Sequence, residues 1–206
     1  MRLKLVSSHP DESTVEDHQL VRAHLAGEPW ASTAIWNRYA PMIYRLFDRA
    51  LGHPKDVDDL TQEVFFRAFA SLSKLRDYTA LRAFLYSTAV NILKWELRRR
   101  RVRRMVLLSP TGHLPDSPID GDDSEARAAL TRFHALLDRL GTDDRTAFVL
   151  RQVEGLSFDE VVEVMGESMS TAKRRVARAS IEMSRLIEND PDLAVYFDRR
   201  GVSHDI

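Results

Sequence analysis

The segment Asp56–Arg104, DVDDLTQEVFFRAFASLSKLRDYTALRAFLYSTAVNILKWELRRRRVRR, decides the fold, because it holds two helices with two kinds of free face. Its first half opens on Asp56, Asp58 and Asp59, then sets Leu60, Val64, Phe65, Ala68, Phe69 and Leu72 on one stripe. That pattern predicts a helix over Asp58–Leu72, buried on one side, with early carboxylates favoured by the positive end of its dipole. The opposite side carries Asp59, Gln62, Glu63, Phe66 and Arg67, and a Phe exposed among polar groups predicts that a second protein covers it. The second half buries Leu85, Tyr86, Ala89, Leu93 and Leu97 and shows Asn91, Lys94, Trp95 and Arg98. An amide, cations and an aromatic on one helical face are the chemistry of nucleic-acid binding. Six arginines in the seven positions Arg98–Arg104, Arg99 among them, exceed what a helix C-terminus needs and point to phosphates. Between the halves, Ser73–Ala83 is a polar link in which Tyr78 stands out.

Outward from this segment, the 206 residues are 44% hydrophobic and 30% charged, a composition that fits one ordinary domain or two small ones. The absence of Cys excludes disulfides, zinc-thiolate sites and thiol redox sensing. No run reaches membrane-spanning length and the first residues lack a signal-peptide core, so a cytoplasmic location without membrane insertion is expected. The formal net charge of −1 is misleading, since residues 1–107 carry +6, residues 108–126 carry −5, residues 127–189 balance and residues 190–206 carry −2. A basic unit, an acidic connector and a neutral unit follow from that division.

Residues 1–15 are polar and expected to be loose. Leu20, Val21, His24 and Leu25 mark a helix ending near Gly27, and Trp30, Ile35, Trp36, Tyr39, Ile43, Tyr44, Phe47 and Leu51 mark another, stopped by Gly52 and Pro54; both tryptophans read as core. Residues 108–126, rich in Pro, Gly and acids, read as a flexible linker. Beyond it, Leu130, Phe133, Leu137 and Leu140 are expected inward on a helix, and Thr142 is expected to cap the next. Ser157 and Glu160 form an S-x-x-E capping box for a helix Phe158–Met165 that ends at Gly166, and Ser170 is expected to cap a last helix. Helix, short turn and helix is the helix-turn-helix signature. In that last helix Ala172, Val176, Ala179, Met183 and Leu186 share one stripe, while Lys173, Arg174, Ala177 and Arg178 face the other way, small and cationic as entry into a major groove requires. The tail 190–206, with Tyr196 and Phe197, has no assigned role.

DDLTQEVFFRAF followed by LRAFLYSTAVNILKWELRRRR resembles region 2 of the bacterial sigma-70 family, in its extracytoplasmic-function group, and LRQVEGLSFDEVVEVMGESMSTAKRRVARASIEM resembles region 4. The resemblance covers roughly half the chain in the right order. It implies an all-α protein of two small helical domains, region 2 over 16–107 and region 4 over 127–189, acting as a promoter-specificity subunit. It further implies docking of Asp59, Gln62, Glu63, Phe66 and Arg67 on the clamp helices of core RNA polymerase, with a contact of region 4 to the flap. Tyr78, Asn91, Lys94, Trp95, Arg98 and Arg99 would read and melt the minus-ten element of promoter DNA; Ser170, Thr171, Lys173, Arg174, Ala177 and Arg178 would read the minus-thirty-five element. Asp116, Asp120, Asp122, Asp123 and Glu125 would lie in the polymerase cleft as an RNA mimic, and an anti-sigma protein would hold the molecule silent. No cofactor, metal or catalytic residue is implied. Trp95 stands where the family has a small polar residue, Thr88 where it has an aliphatic one, and Glu167 and Ser168 where it often has Ile and a small residue. A core position for Trp95, beside Leu93 and Leu97, is the alternative reading. Two rivals from other classes are a stand-alone helix-turn-helix regulator and a metal-dependent nuclease using Asp56, Asp58, Asp59 and Glu63.

Overall fold

A computed structural model describes residues 15–52, 55–107 and 124–199, with side chains over 15–52, 55–104 and 125–196. The stop signal at Pro54, the linker acids Asp116, Asp120, Asp122 and Asp123 and most of the N-terminal segment lie outside these residues, as does the side chain of Phe197. Every regular element among the described residues is helical. No described helix is long and apolar enough to cross a membrane.

Four helices make the first unit: α1 (Asp17–Leu25), α2 (Pro29–Leu51), α3 (Val57–Ser71) and α4 (Leu81–Leu107). α2 begins with Pro29 at its first position, where a missing N–H costs nothing, and ends at Gly52 in the left-handed region (φ 74°). Its stripe of Ile35, Ile43, Leu46 and Phe47 packs against Val64 and Phe65 of α3 and Leu85 and Leu93 of α4 in one apolar core. Tyr39 and Arg38 of α2 both bond Asp17, pinning α1. Trp36 lies 4.6 Å from Phe65 between ring centroids, and Trp30 and Trp36 pack on the core as expected. Two departures concern ends. Val15, expected loose, is buried, and the Ser73–Ala83 link is shorter than its polarity suggests because α4 starts at Leu81 after 3₁₀ turns at Leu72–Lys74 and Tyr78–Ala80.

The second unit holds α5 (Ser124–Leu137), α6 (Thr142–Phe148, continued by a π turn over Val149–Val153), α7 (Phe158–Met165), α8 (Met169–Glu188) and α9 (Pro191–Arg199). It differs from the sequence reading in four places. Leu137 and Leu140 are buried and Phe133 packs on the core as expected, but Leu130 is 40% exposed because Ala129 takes the inward position beside it. Thr142 is the first residue of α6, and Gly141 occupies the cap position with no side chain to offer. Glu125 belongs to the first turn of α5, not to a linker. Residues Pro191–Arg199 of the tail form a helix, in which Leu193 is fully buried in the common core and Tyr196 packs against it.

The two units share a core and a seam of charge. Arg145, 3% exposed, pairs with Asp138 and donates to the Ala50 carbonyl at 2.6 Å. Arg49 meets Glu154 at 3.2 Å, Arg82 meets Glu160 at 2.9 Å, and the Tyr86 hydroxyl lies 3.4 Å from Glu154. Burial first, and the Glu154 carboxylate second, push the Tyr86 phenol up to about 12. We expect Leu193→Ala to lower unfolding stability by about 2–5 kcal/mol in chemical denaturation; a change below about 0.5 kcal/mol would remove α9 from the second unit.

Candidate nucleic-acid interface

On α4, Asn91 and Trp95 stand one turn apart on the exposed side, Trp95 55% exposed, so Trp95 is not core. Val102, 58% exposed, continues the apolar element down the same helix. The remaining predicted residues of this face are not equally free. Lys94 keeps 12% of its side-chain surface and lies 3.5 Å from Asp143 of α6; Arg98 reaches the same carboxylate at 3.8 Å. Arg99 turns back along the helix to Glu96 and lays its guanidinium over the Trp95 ring at 5.1 Å. Arg100 bonds Glu96 at 2.7 Å and Asp56 at 3.0 Å, and Arg104 pairs with Asp138. The run read from the sequence as a phosphate track is therefore largely an internal network; only Arg101 and Arg103 are exposed without a partner among the described residues. Tyr78 is half-buried against the core, and its turn is fixed by Asp77, whose carboxylate accepts from the Thr79 amide at 2.9 Å and hydroxyl at 2.7 Å. Those bonds hold the Asp77 carboxyl below its usual range.

The helix-turn-helix is built by local capping. Ser157 accepts from the Glu160 amide at 3.2 Å and Glu160 accepts from the Ser157 amide at 2.8 Å, closing the predicted box. The Ser157 amide donating to its carboxylate, then Arg82, lowers the Glu160 pKa. Gly166 ends α7 in the left-handed region (φ 66°). The cap of α8 is Ser168, whose Oγ accepts from the Thr171 amide at 3.3 Å, and Ser170 stands inside the first turn. Glu167 is not a loose acid in the turn but bonds Arg175 at 2.7 Å. Ser170, Lys173, Arg174, Ala177 and Arg178 are all exposed, and Thr171 half so. Ile181, 71% exposed, extends the row Arg174, Ala177, Arg178 by a further turn; its i+7 spacing from Arg174 was readable in the sequence and went unused.

Asp143 and Asp144, at the start of α6, bring the two faces together. Asp143 meets Lys94 and Arg98 of α4 and Arg175 of α8; Asp144 takes two bonds of 2.7 Å from Arg178. On α3 the third predicted face is open, with Asp59, Gln62 and Arg67 exposed and Phe66 73% exposed. Glu63, half-buried, accepts from Arg67 at 2.6 Å. Beside it, Trp36, Pro41, Tyr44 and Gln62 line a groove of about 460 Å³ that the buried Thr61 also borders. Asp56, the first acid of the nuclease rival, is engaged by Arg100.

Residues 35–103 match the sigma-70 region 2 family and residues 130–183 match sigma-70 region 4. The ferric citrate uptake sigma factor FecI of Escherichia coli K12 is 33% identical over 138 residues, spanning 64% of this chain and 76% of FecI. This chain belongs to the sigma-70 family. It is a sigma factor of the extracytoplasmic-function group, like SigM of Mycobacterium tuberculosis, 27% identical over 172 residues, 83% of this chain and 84% of SigM. The fold agrees with that of CnrH solved in complex with the cytosolic domain of CnrY (TM-score 0.62, 26% identity, covering 84% of this chain and 98% of that one). As a sigma factor it binds core RNA polymerase and directs promoter recognition, DNA melting and transcription initiation. Stand-alone operator binding would leave α3 and α4 without a use. For the entrance to α8, Ser168→Ala is expected to lower thermal stability by about 1 kcal/mol and Ser170→Ala by less than about 0.5 kcal/mol, measured on the full chain.

Proposed function

We propose that α4 and α8 of this sigma factor read the minus-ten and minus-thirty-five elements, and that the Phe66 face of α3 docks on the polymerase clamp helices. The observation that carries this reading is Trp95, more than half exposed beside Asn91 on a helix whose opposite side is buried in the core. A large aromatic held in water on an amide- and cation-bearing face gains most when an unstacked base covers it, at about 1–3 kcal/mol per base. Asn91 supplies edge recognition, Trp95 and Tyr78 supply apolar walls, and the exposed Arg101 and Arg103 join Arg98 in supplying phosphate contacts. On α8, Lys173 and Arg174 present charge, Ser170 and Thr171 hydroxyls, and Ala177 a methyl, the mixture that major-groove edges recognise. Strand opening on this reading uses binding energy rather than a catalysed step, and takes place in the cytoplasm with the polymerase.

The arrangement is a closed one for the α4 reader. Asp143 occupies Lys94 and Arg98, groups assigned to DNA, so we place separation of the second unit from α4 before promoter binding; Asp144 holds Arg178 within the second unit itself. CnrH was solved in complex with the cytosolic domain of CnrY; for this chain an anti-sigma protein is the proposed partner that favours the silent form.

In run-off transcription with core polymerase and genomic fragments from the source organism, discrete transcripts dependent on this protein are expected. The double variant Glu63→Lys, Phe66→Ala should fold normally, fail to co-migrate with core and yield no transcripts; undiminished co-migration would reject the α3 assignment. Free of polymerase, Asp143→Asn with Asp144→Asn should raise DNA affinity roughly tenfold at low salt, the gain shrinking as salt rises. Equal affinity of wild type and variant would reject the closed-form reading.

A further inference from the structure

Glu96 is 1% exposed, one turn below Ile92 on the buried side of α4. For packing alone a carboxylate is a poor choice there. Burying it costs several kcal/mol before compensation, and an apolar residue of similar volume often serves stability as well or better. Its surroundings show what the charge does. Arg100 Nε donates to Oε1 at 2.7 Å, and Arg99 Nη2 donates to the same oxygen at 3.0 Å. Arg99 Nε lies 2.7 Å from Oε2, an ion-pair contact outside hydrogen-bond geometry. Asp56, next to the start of α3, holds the outer ends of both guanidiniums, Arg100 at 3.0 Å and Arg99 at 3.6 Å. The four charges sum to zero, so these two arginines are poor phosphate ligands as they stand.

The consequence falls on Trp95. With Arg99 clamped between Glu96 and Asp56, its guanidinium rests 5.1 Å from the Trp95 ring centroid, within cation–π range, while more than half of the Trp95 surface stays open. An Arg left to itself on a helix surface samples many rotamers, and the indole beside it would do the same. Ordering both when a base arrives would weaken the contact.

We infer that Glu96 is a positioning residue for promoter melting: through Arg99 it fixes the Trp95 indole as a preformed wall on which an unpaired promoter base stacks. This rests on the assignment of Trp95 to DNA made above and goes beyond it by naming the buried group that sets the wall. It also gives Arg99 a role other than phosphate binding.

A double-mutant cycle separates positioning from mere stability. Full-length protein with core polymerase is assayed for open-complex formation on a promoter identified by run-off transcription, with 2-aminopurine at the melted positions. Glu96→Gln keeps the volume and removes the charge; it should slow open-complex formation roughly threefold to tenfold. In a Trp95→Ala background the same substitution should change the rate by less than about twofold, because the wall it serves is gone. Arg99→Gln, which leaves Glu96 bonded to Arg100, should repeat both results and serves if Glu96→Gln folds poorly. An equal loss with and without Trp95 would overturn the inference and leave Glu96 a structural residue. If Trp95→Ala alone leaves open-complex formation unchanged, the failure lies in the assignment of Trp95 to DNA, and the positioning role falls with it.

Discussion

The structure depends on how α4 is held. This 27-residue helix supplies Leu85, Leu93 and Leu97 to the core it shares with α2 and α3, while Arg82, Lys94, Arg98 and Arg104 meet acids of the second unit. Both sides of the molecule therefore set the position of the same helix, and it is the helix that carries Asn91 and Trp95. A rigid element embedded on one side can keep an aromatic exposed without collapse onto its own core, which is what separates a binding face from a patch of misplaced apolar surface.

Magnitudes decide how firmly the second unit is held there. The contacts of Arg49, Arg82, Lys94, Arg98 and Arg104 all involve partly exposed groups, and exposed pairs contribute about 0–1 kcal/mol each. Arg145 is different in kind, because its guanidinium is buried; Asp138 belongs to the same unit and stays with it, so opening withdraws the Ala50 carbonyl, a bond to a charged group that contributes about 1.5–3 kcal/mol. A seam made this way resists random opening, yet yields to a partner that hydrates Arg145 or replaces the Ala50 carbonyl. Promoter DNA competes directly only for the weaker, exposed members.

Much of this architecture was legible in the sequence. The 3.6-residue stripes of α2, α3 and α8, the glycine stops at Gly52 and Gly166 and the Ser157–Glu160 box are local signals, and the local backbone obeys them. So was the exposure of Phe66, since an aromatic on the polar face of an amphipathic helix has nowhere else to go. The misses come from contacts distant in sequence. Nothing near Arg98–Arg104 announces that Asp56, Asp138 and Asp143 will reach it, so a run of cations read as a free phosphate track. Leu130 failed for a smaller reason: Ala129 takes the inward position beside it, and a leucine tolerates partial exposure at little cost.

Glu96 shows why charge counting by segment was only half informative. The +6 of residues 1–107 is correct as a sum, but its distribution is what matters for DNA. Glu96 and Asp56 cancel Arg99 and Arg100, while Asp143 and Asp138 oppose Arg98 and Arg104 from the other unit. Counterion release scales with the phosphates actually neutralised, so the closed molecule has a far smaller electrostatic footprint than its arginine count implies. Moving the second unit away restores Lys94, Arg98 and Arg104 but not Arg99 and Arg100, whose partners belong to the same domain. The opened α4 face is thus a sparse set of cations around a fixed indole, which favours recognition of an unpaired base over indiscriminate binding to duplex DNA.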